Sequence, residues 1–148
     1  MKFVSNSVEE TENFATTEIA PLLNGGEVIA LYGPMGMGKT AFVRGLAKGL
    51  KSTDRVCSPT FAIANVYRCG KEQDCKIKNL AHFDMFRINY YDELEATGFF
   101  DYIENGDVVI CEWSENIKDI ISSLKNKVLK IEISIGENEN QRIFNCSI

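Results

Sequence analysis

No apolar run in this sequence comes near the roughly eighteen residues that cross a bilayer, so a spanning helix is excluded and no membrane partner is expected. Histidine is almost missing. His82 stands alone, and the five cysteines, at 57, 69, 75, 111 and 146, never fall at C-x-x-C spacing, which leaves no zinc site to build. An odd cysteine count without framework spacing argues against a disulfide scaffold. Buried free thiols in a reducing compartment are expected, with Cys69 and Cys75, which flank a polar turn, the pair placed to join if oxidised. The first ten residues hold no apolar segment and soon turn acidic, so no secretory signal is read and a cytoplasmic location is expected. Lysine and arginine form no block, and 16 of them against 21 Asp and Glu give a net charge of −5. That balance argues against independent binding to nucleic acid, which normally requires a basic face. No linker, repeat or low-complexity stretch interrupts the chain, so residues 1–148 read as one domain. With 45% apolar and 25% charged residues, it can bury a substantial core.

What is present is a phosphate-binding loop in its proper setting. Gly33-Pro-Met-Gly-Met-Gly-Lys39-Thr40 fits G-x-x-x-x-G-K-[ST]. It follows the apolar run Val28-Ile-Ala-Leu-Tyr32 and precedes a stretch in which Phe42, Val43, Leu46, Ala47 and Leu50 recur at helical spacing. Strand, glycine loop and helix bring backbone N–H groups and the positive end of a helix dipole to one place, where phosphates bind. The residues expected to meet the nucleotide are Gly33, Met35, Gly36, Met37, Gly38, Lys39, Thr40 and Ala41. Lys39 reaches the β- and γ-phosphates in this pattern, and the Thr40 hydroxyl takes Mg²⁺.

Around the loop the chain alternates strand and helix signals. Residues 7 to 23 read as an amphipathic helix with Val8, Thr11, Ala15, Ile19 and Leu22 on one stripe. Ser7 and Glu10 form a capping box, and Pro21 ends or kinks the helix near residue 20. Residues 61–67 and 77–84 read as strands of a hairpin, 89–104 as helix, 107–111 as a buried parallel strand, and 116–123 as a short helix. Leu129, Ile131, Ile133 and Ile135, then Phe144, Cys146 and Ile148, alternate with polar neighbours, as in an antiparallel pair at a sheet edge. The fold class is therefore α/β: a three-layer P-loop NTPase domain with a mixed, mainly parallel central sheet and antiparallel edge strands.

Nucleotide hydrolysis needs acids at strand ends beside the loop, to hold Mg²⁺ and to position water. Leu80-Ala-His-Phe-Asp84 and Val108-Val-Ile-Cys-Glu112 both end in one, at the carboxyl ends where ligands gather in open α/β sheets. The residues alone leave open which acid holds the metal and which lies nearer the water. Ser58-Pro59-Thr60 follows the loop helix, where a hydroxyl such as that of Thr60 can sense the γ-phosphate. His82 shares a strand face with Asp84 and reads as a hydrogen-bonded structural residue, while Trp113 follows Glu112 directly.

At these residues the chain resembles the TsaE family, the bacterial P-loop ATPases of tRNA threonylcarbamoyladenosine biosynthesis. The motifs that carry the resemblance are the loop itself, Phe42-Val-Arg-Gly45, Ser58-Pro-Thr60, His82-Phe-Asp84 with Arg87, Glu93-Leu94 with Gly98 and Asp101-Tyr102, and Glu112-Trp113. They span residues 7 to 115, and the last thirty residues carry none. The resemblance implies a weak, partner-dependent ATPase using ATP and Mg²⁺. It implies work beside a carbamoyl-transferase subunit and its inactive paralogue, in transfer to adenosine 37 of tRNA, with tRNA met only through the complex. It implies Lys39 on phosphate, Thr40 and Glu112 on Mg²⁺, Asp84 in the hydrolytic site, and Thr60 as switch residue. Trp113 would lie near the nucleotide or partner surface, and the N-terminal helix around Thr11 near the adenine.

Three other readings compete. A small-molecule kinase needs clustered cations over the transferred group, and the arginines at 44, 55, 68, 87 and 142 do not cluster. A GTPase needs N/T-K-x-D, and Asn126-Lys127 continues with Val-Leu. A nucleotide-gated assembly factor with incidental hydrolysis shares every motif and is separated only by experiment.

Overall fold

The computed structural model describes residues 1–34, 38–57, 59, 63–70 and 76–147. In chain order the elements are β1 (Lys2–Ser5), α1 (Val8–Phe14), β2 (Val28–Tyr32), α2 (Lys39–Gly49), β3 (Ala64–Arg68) and β4 (Asn79–Asp84). They continue with α3 (Tyr91–Ala96), α4 (Phe99–Glu104), β5 (Val108–Glu112), α5 (Lys118–Ser123), β6 (Val128–Ile135) and β7 (Arg142–Ser147). Among the described residues the strands form one seven-stranded sheet in the order β1-β7-β6-β2-β5-β4-β3. The central strands β6, β2, β5 and β4 run parallel, while β3 pairs antiparallel at one edge and β7 and β1 at the other. The apolar runs of β2 and β5 are explained by this position, because helices cover both faces of the sheet.

Side-chain alternation divides the core in two. Ile29 and Leu31 of β2, Leu80 of β4 and Ile110 of β5 face α2 and the N-terminal helix, where Phe42, Val43 and Leu46 pack. Ala30, Ala81, Phe83, Val109 and Cys111 face the other way, onto Leu94, Phe99, Ile103 and Ile121. Each fully buried Leu, Ile or Phe here contributes about 1.5–3 kcal/mol relative to exposure.

Four details differ from the sequence reading. The N-terminal helix changes pitch: after α1 it passes through a π-helical turn, Ala15–Ile19, and a 3₁₀ turn, Ala20–Leu22, around Pro21. The wider turn shifts the buried stripe to Thr11, Phe14, Ala15, Ile19, Ala20 and Leu23, leaving Val8 exposed. This lets the helix lie against α2, where a Cβ on Gly45 would meet the Glu12 carbonyl oxygen and where Thr16 Oγ1 sits 2.7 Å from the Gly45 oxygen. At the helix start, Ser7 Oγ accepts from the Glu10 N–H as expected, but the Glu10 carboxylate takes the N–H of Asn6, one residue before the cap. The stretch expected as helix from 89 to 104 is two helices broken at Thr97-Gly98. Finally, β6 is internal, paired parallel to β2, and the edge beyond β7 is β1, a strand of four residues too short to register as a pattern. The tip of the β3–β4 hairpin at 71–75, with Cys75, lies outside the described residues.

Candidate functional site

The β2–α2 connection is shaped by two glycines. Gly33 has φ 137°, and a Cβ there would lie 2.6 Å from the Ile133 carbonyl oxygen of β6, so no other residue fits. Gly38 caps α2 in the left-handed region at φ 88°, with open space where a side chain would stand. The first turn of α2 therefore presents Lys39, Thr40 and Ala41 with the helix's free N–H groups. Lys39 is only 6% exposed, and its Nζ lies 4.9 Å from the centroid of the Trp113 ring. No carboxylate among the described residues pairs with it. A nearly buried lysine whose ammonium, among the described residues, faces an aromatic ring and no carboxylate is suited to an incoming anion.

Trp113 reaches this position by a costly backbone turn. Its φ of 58° and ψ of 42° are left-handed, a conformation that costs a non-glycine residue about 1–2 kcal/mol. The turn is held on both sides: buried Ser114 bonds the Cys111 carbonyl at 3.0 Å, and the Asn116 N–H bonds that of Trp113 at 3.2 Å. Phe86, from the loop after β4, packs tilted against the Trp113 ring with centroids 5.1 Å apart. Strain stored directly after Glu112, aiming a ring at Lys39, is the kind of strain that marks working sites.

The two acids meet as expected. β4 and β5 run in parallel with Asp84 opposite Glu112, so both carboxylates leave the same face at the carboxyl ends of the strands. They differ in setting. Asp84 is half-buried and folds back to accept the Phe86 N–H at 2.9 Å. Glu112 is 8% exposed and its Oε2 is 2.7 Å from Nε2 of His82, which is fully buried. His82 is thus buried and hydrogen-bonded, and its partner is Glu112. Met35, Gly36, Met37 and Thr60 lie outside the described residues, as does Ser58.

Three parts of the site were not visible in the sequence. Glu115 Oε1 accepts the Gly33 N–H at 3.2 Å, tying the loop's first amide to the segment after β5. Tyr67 approaches His82 from β3. A cavity of about 470 Å³ opens beside Gly38 and Ala41, walled by Asn6 and Thr11 on one side and by Asn140 and Arg142 on the other. It places Thr11 next to the loop helix, and it draws on the C-terminal thirty residues that carried no motif. Only the register of β1 on β7 brings residue 6 and residue 142 together, so no local pattern could have found it.

Among the described residues, no group of three His, Cys, Asp or Glu side chains is close enough to hold a metal alone. Mg²⁺ asks for less: one or two protein oxygens, with water and phosphate completing its shell. Thr40 at the helix start and Glu112 at the strand end are oxygen donors of the right kind, so the residues present fit that ion.

A phosphate-loop motif at the end of a central parallel strand, with paired strand-end acids beside it, defines the class: a three-layer α/β protein of P-loop architecture. Within it, the chain belongs to the TsaE family. The profile of "Threonylcarbamoyl adenosine biosynthesis protein TsaE" matches residues 5–144. Among similar proteins, the tRNA threonylcarbamoyladenosine biosynthesis protein TsaE of Aquifex aeolicus is 37% identical, over 95% of this chain and 93% of that one. The protein of the same name from Rickettsia prowazekii is 34% identical, over 97% and 90%. In three dimensions the chain resembles the crystal structure of Bacillus subtilis YdiB, with TM-score 0.72 and 28% identity, covering 97% of this chain and 82% of that one.

Proposed function

We propose that this protein is an ATPase that supports threonylcarbamoyl transfer to tRNA as the accessory subunit of a transferase complex. The observation that carries the reading is the convergence of Lys39, Trp113, Glu112 and His82 at the carboxyl ends of β2, β4 and β5. Gly33 and Gly38 open the backbone for the phosphates, and the start of α2 faces them with free N–H groups. Lys39 turns its ammonium to the β- and γ-phosphates, with Trp113 keeping the stem in place and water out. Thr40 and Glu112 would hold Mg²⁺, which would supply positive charge beside the phosphates. Asp84, opposite Glu112 and more exposed, is placed to orient the attacking water. His82 fixes the rotamer of Glu112 from the buried side. The cavity by Thr11 and Arg142 takes the base and ribose.

The division of labour follows from charge. A net charge of −5 argues against tRNA binding by this chain alone, so the carbamoyl-transferase subunit and its inactive paralogue carry most of that contact. The test is ATP hydrolysis by the purified protein, alone and with those subunits, compared with Glu112→Gln. Binding without turnover in the variant, and loss of multi-cycle tRNA modification, is the expected result. Full modification by the variant would leave a nucleotide-gated assembly factor. Stoichiometric phosphoryl transfer to a metabolite would make the protein a kinase.

A further inference from the structure

Behind Glu112 a line of polar groups runs through buried His82 and Tyr67 to the β3 edge of the sheet and the more exposed Cys57. His82 Nδ1 lies 3.3 Å from the hydroxyl of Tyr67, which is 3% exposed on β3. The same hydroxyl lies 2.7 Å from the carbonyl oxygen of Cys57, to which it donates, and accepts the Cys57 N–H at 3.2 Å. Asn65, two residues earlier and so on the same face, donates to the Cys57 carbonyl at 3.0 Å. Cys57 directly precedes Ser58-Pro59-Thr60. Three hydrogen bonds thus clasp the backbone N–H and C=O of one residue at the entrance of the motif, and the phenol oxygen that makes two of them also touches the partner of Glu112.

We propose that Tyr67 is a positioning residue that couples Glu112, through His82, to the backbone entering Ser58-Pro59-Thr60. The physical reason is a shortage of protons. With the Nε2–H of His82 donated to the Glu112 carboxylate, Nδ1 is left as an acceptor, so the one O–H of the phenol has two acceptors within reach, the Cys57 oxygen and Nδ1. A shift of His82 that follows a change at Glu112 therefore alters the hold on Cys57. Burial pushes the Tyr67 phenol further above its ordinary value, so the donor stays in place well into alkali. A tyrosine needed only for packing would not place its oxygen on both a loop peptide and the partner of a site acid. The catalytic consequence rests on the ATPase reading above; the coupling itself does not.

The thiol of Cys57 is exposed, whereas Cys69, Cys111 and Cys146 are buried, so its alkylation reports on the clasp. Iodoacetamide labelling read at Cys57 by peptide mass should be several-fold faster in Tyr67→Phe, a change that keeps the ring and removes only the oxygen. Glu112→Gln should also speed it in the native background, and should add nothing further once Tyr67 is Phe. With ATP, kcat of Tyr67→Phe should fall about tenfold while KM moves less than about twofold, the split expected when orientation is lost and not binding. Wild-type labelling rates in Tyr67→Phe, or an equal effect of Glu112→Gln with and without Tyr67, would overturn the proposal. If Tyr67→Phe does not fold, Glu112→Gln alone decides, since an unchanged Cys57 rate in that chain overturns it too. A wild-type protein that hydrolyses no ATP would remove the catalytic reading and leave the labelling result standing.

Discussion

The two faces of the central sheet are built from the same strands and do opposite things. Along β4, Leu80, His82 and Asp84 point to the α2 side while Ala81 and Phe83 point to the α3–α5 side. Along β5 the corresponding sets are Ile110 and Glu112 against Val109 and Cys111. On the first face apolar side chains give way to ionisable ones as the strands reach their carboxyl ends, and the site begins there. On the second face the core stays apolar to the last residue and continues into Met85. A period of two residues thus separates chemistry from stability within one segment of chain. Neighbouring positions should respond to substitution in different currencies, one in turnover and the other in folding.

The sharpest test of that contrast is Phe83→Ala set against its neighbours. Phe83 is fully buried, edge-on to Phe99 at 5.5 Å and near Tyr102 at 5.9 Å. Its truncation should cost about 3–5 kcal/mol of stability, read by urea unfolding, with ATP affinity of the folded fraction unchanged. Glu112→Gln, on the other face, should lower kcat by about 10²–10³, the scale seen when a transition-state electrostatic partner is removed, while unfolding changes far less. Lys39→Ala should weaken ATP binding by about 1–3 kcal/mol in calorimetry, because a charge-assisted hydrogen bond to phosphate is lost. If Lys39→Ala binds as the native chain does, the loop is not the phosphate site.

Both faces should respond to alkali. Burial raises the Tyr67 phenol, and burial followed by the charge of Glu115 raises that of Tyr32. A group whose folded value is raised binds its proton more tightly when folded. Its stabilisation is complete below about pH 10 and is lost as pH rises through the folded value. The melting temperature should therefore decline above about pH 10, and less steeply in Tyr67→Phe. Burial also pushes the Cys111 thiol up, so at pH 8 Cys57 should be alkylated while Cys111 is spared. The smallest effect is expected at the exposed pair Arg44–Glu12, at 2.6 Å, where Arg44→Ala should cost under about 1 kcal/mol.

Much of this molecule was legible before any coordinates. The loop motif, the apolar runs of β2 and β5, the strand-end acids and the family follow from residue order, because strand and helix periodicity and glycine's freedom are local properties. Where the reading slipped, the cause was non-local. The N-terminal stripe moved because a π-helical turn accommodates contact with Gly45; β6 and β7 form the antiparallel pair expected, but β6 is internal because its other side pairs with a strand a hundred residues earlier. His82 was legible as a buried hydrogen-bonding residue, but nothing local announced that Glu112 and Tyr67 would be its two partners.

The sequence by itself determined that a phosphate loop stands between a buried strand and an amphipathic helix, and that two later strands end in carboxylates. Tertiary structure alone decided that Glu112 is backed by His82, that Trp113 covers Lys39, and that Asn6 and Arg142 share a cavity beside Gly38. The reason is one of range. Periodicity and turn chemistry act over a few residues, whereas those contacts exist only once seven strands have chosen their neighbours and their register.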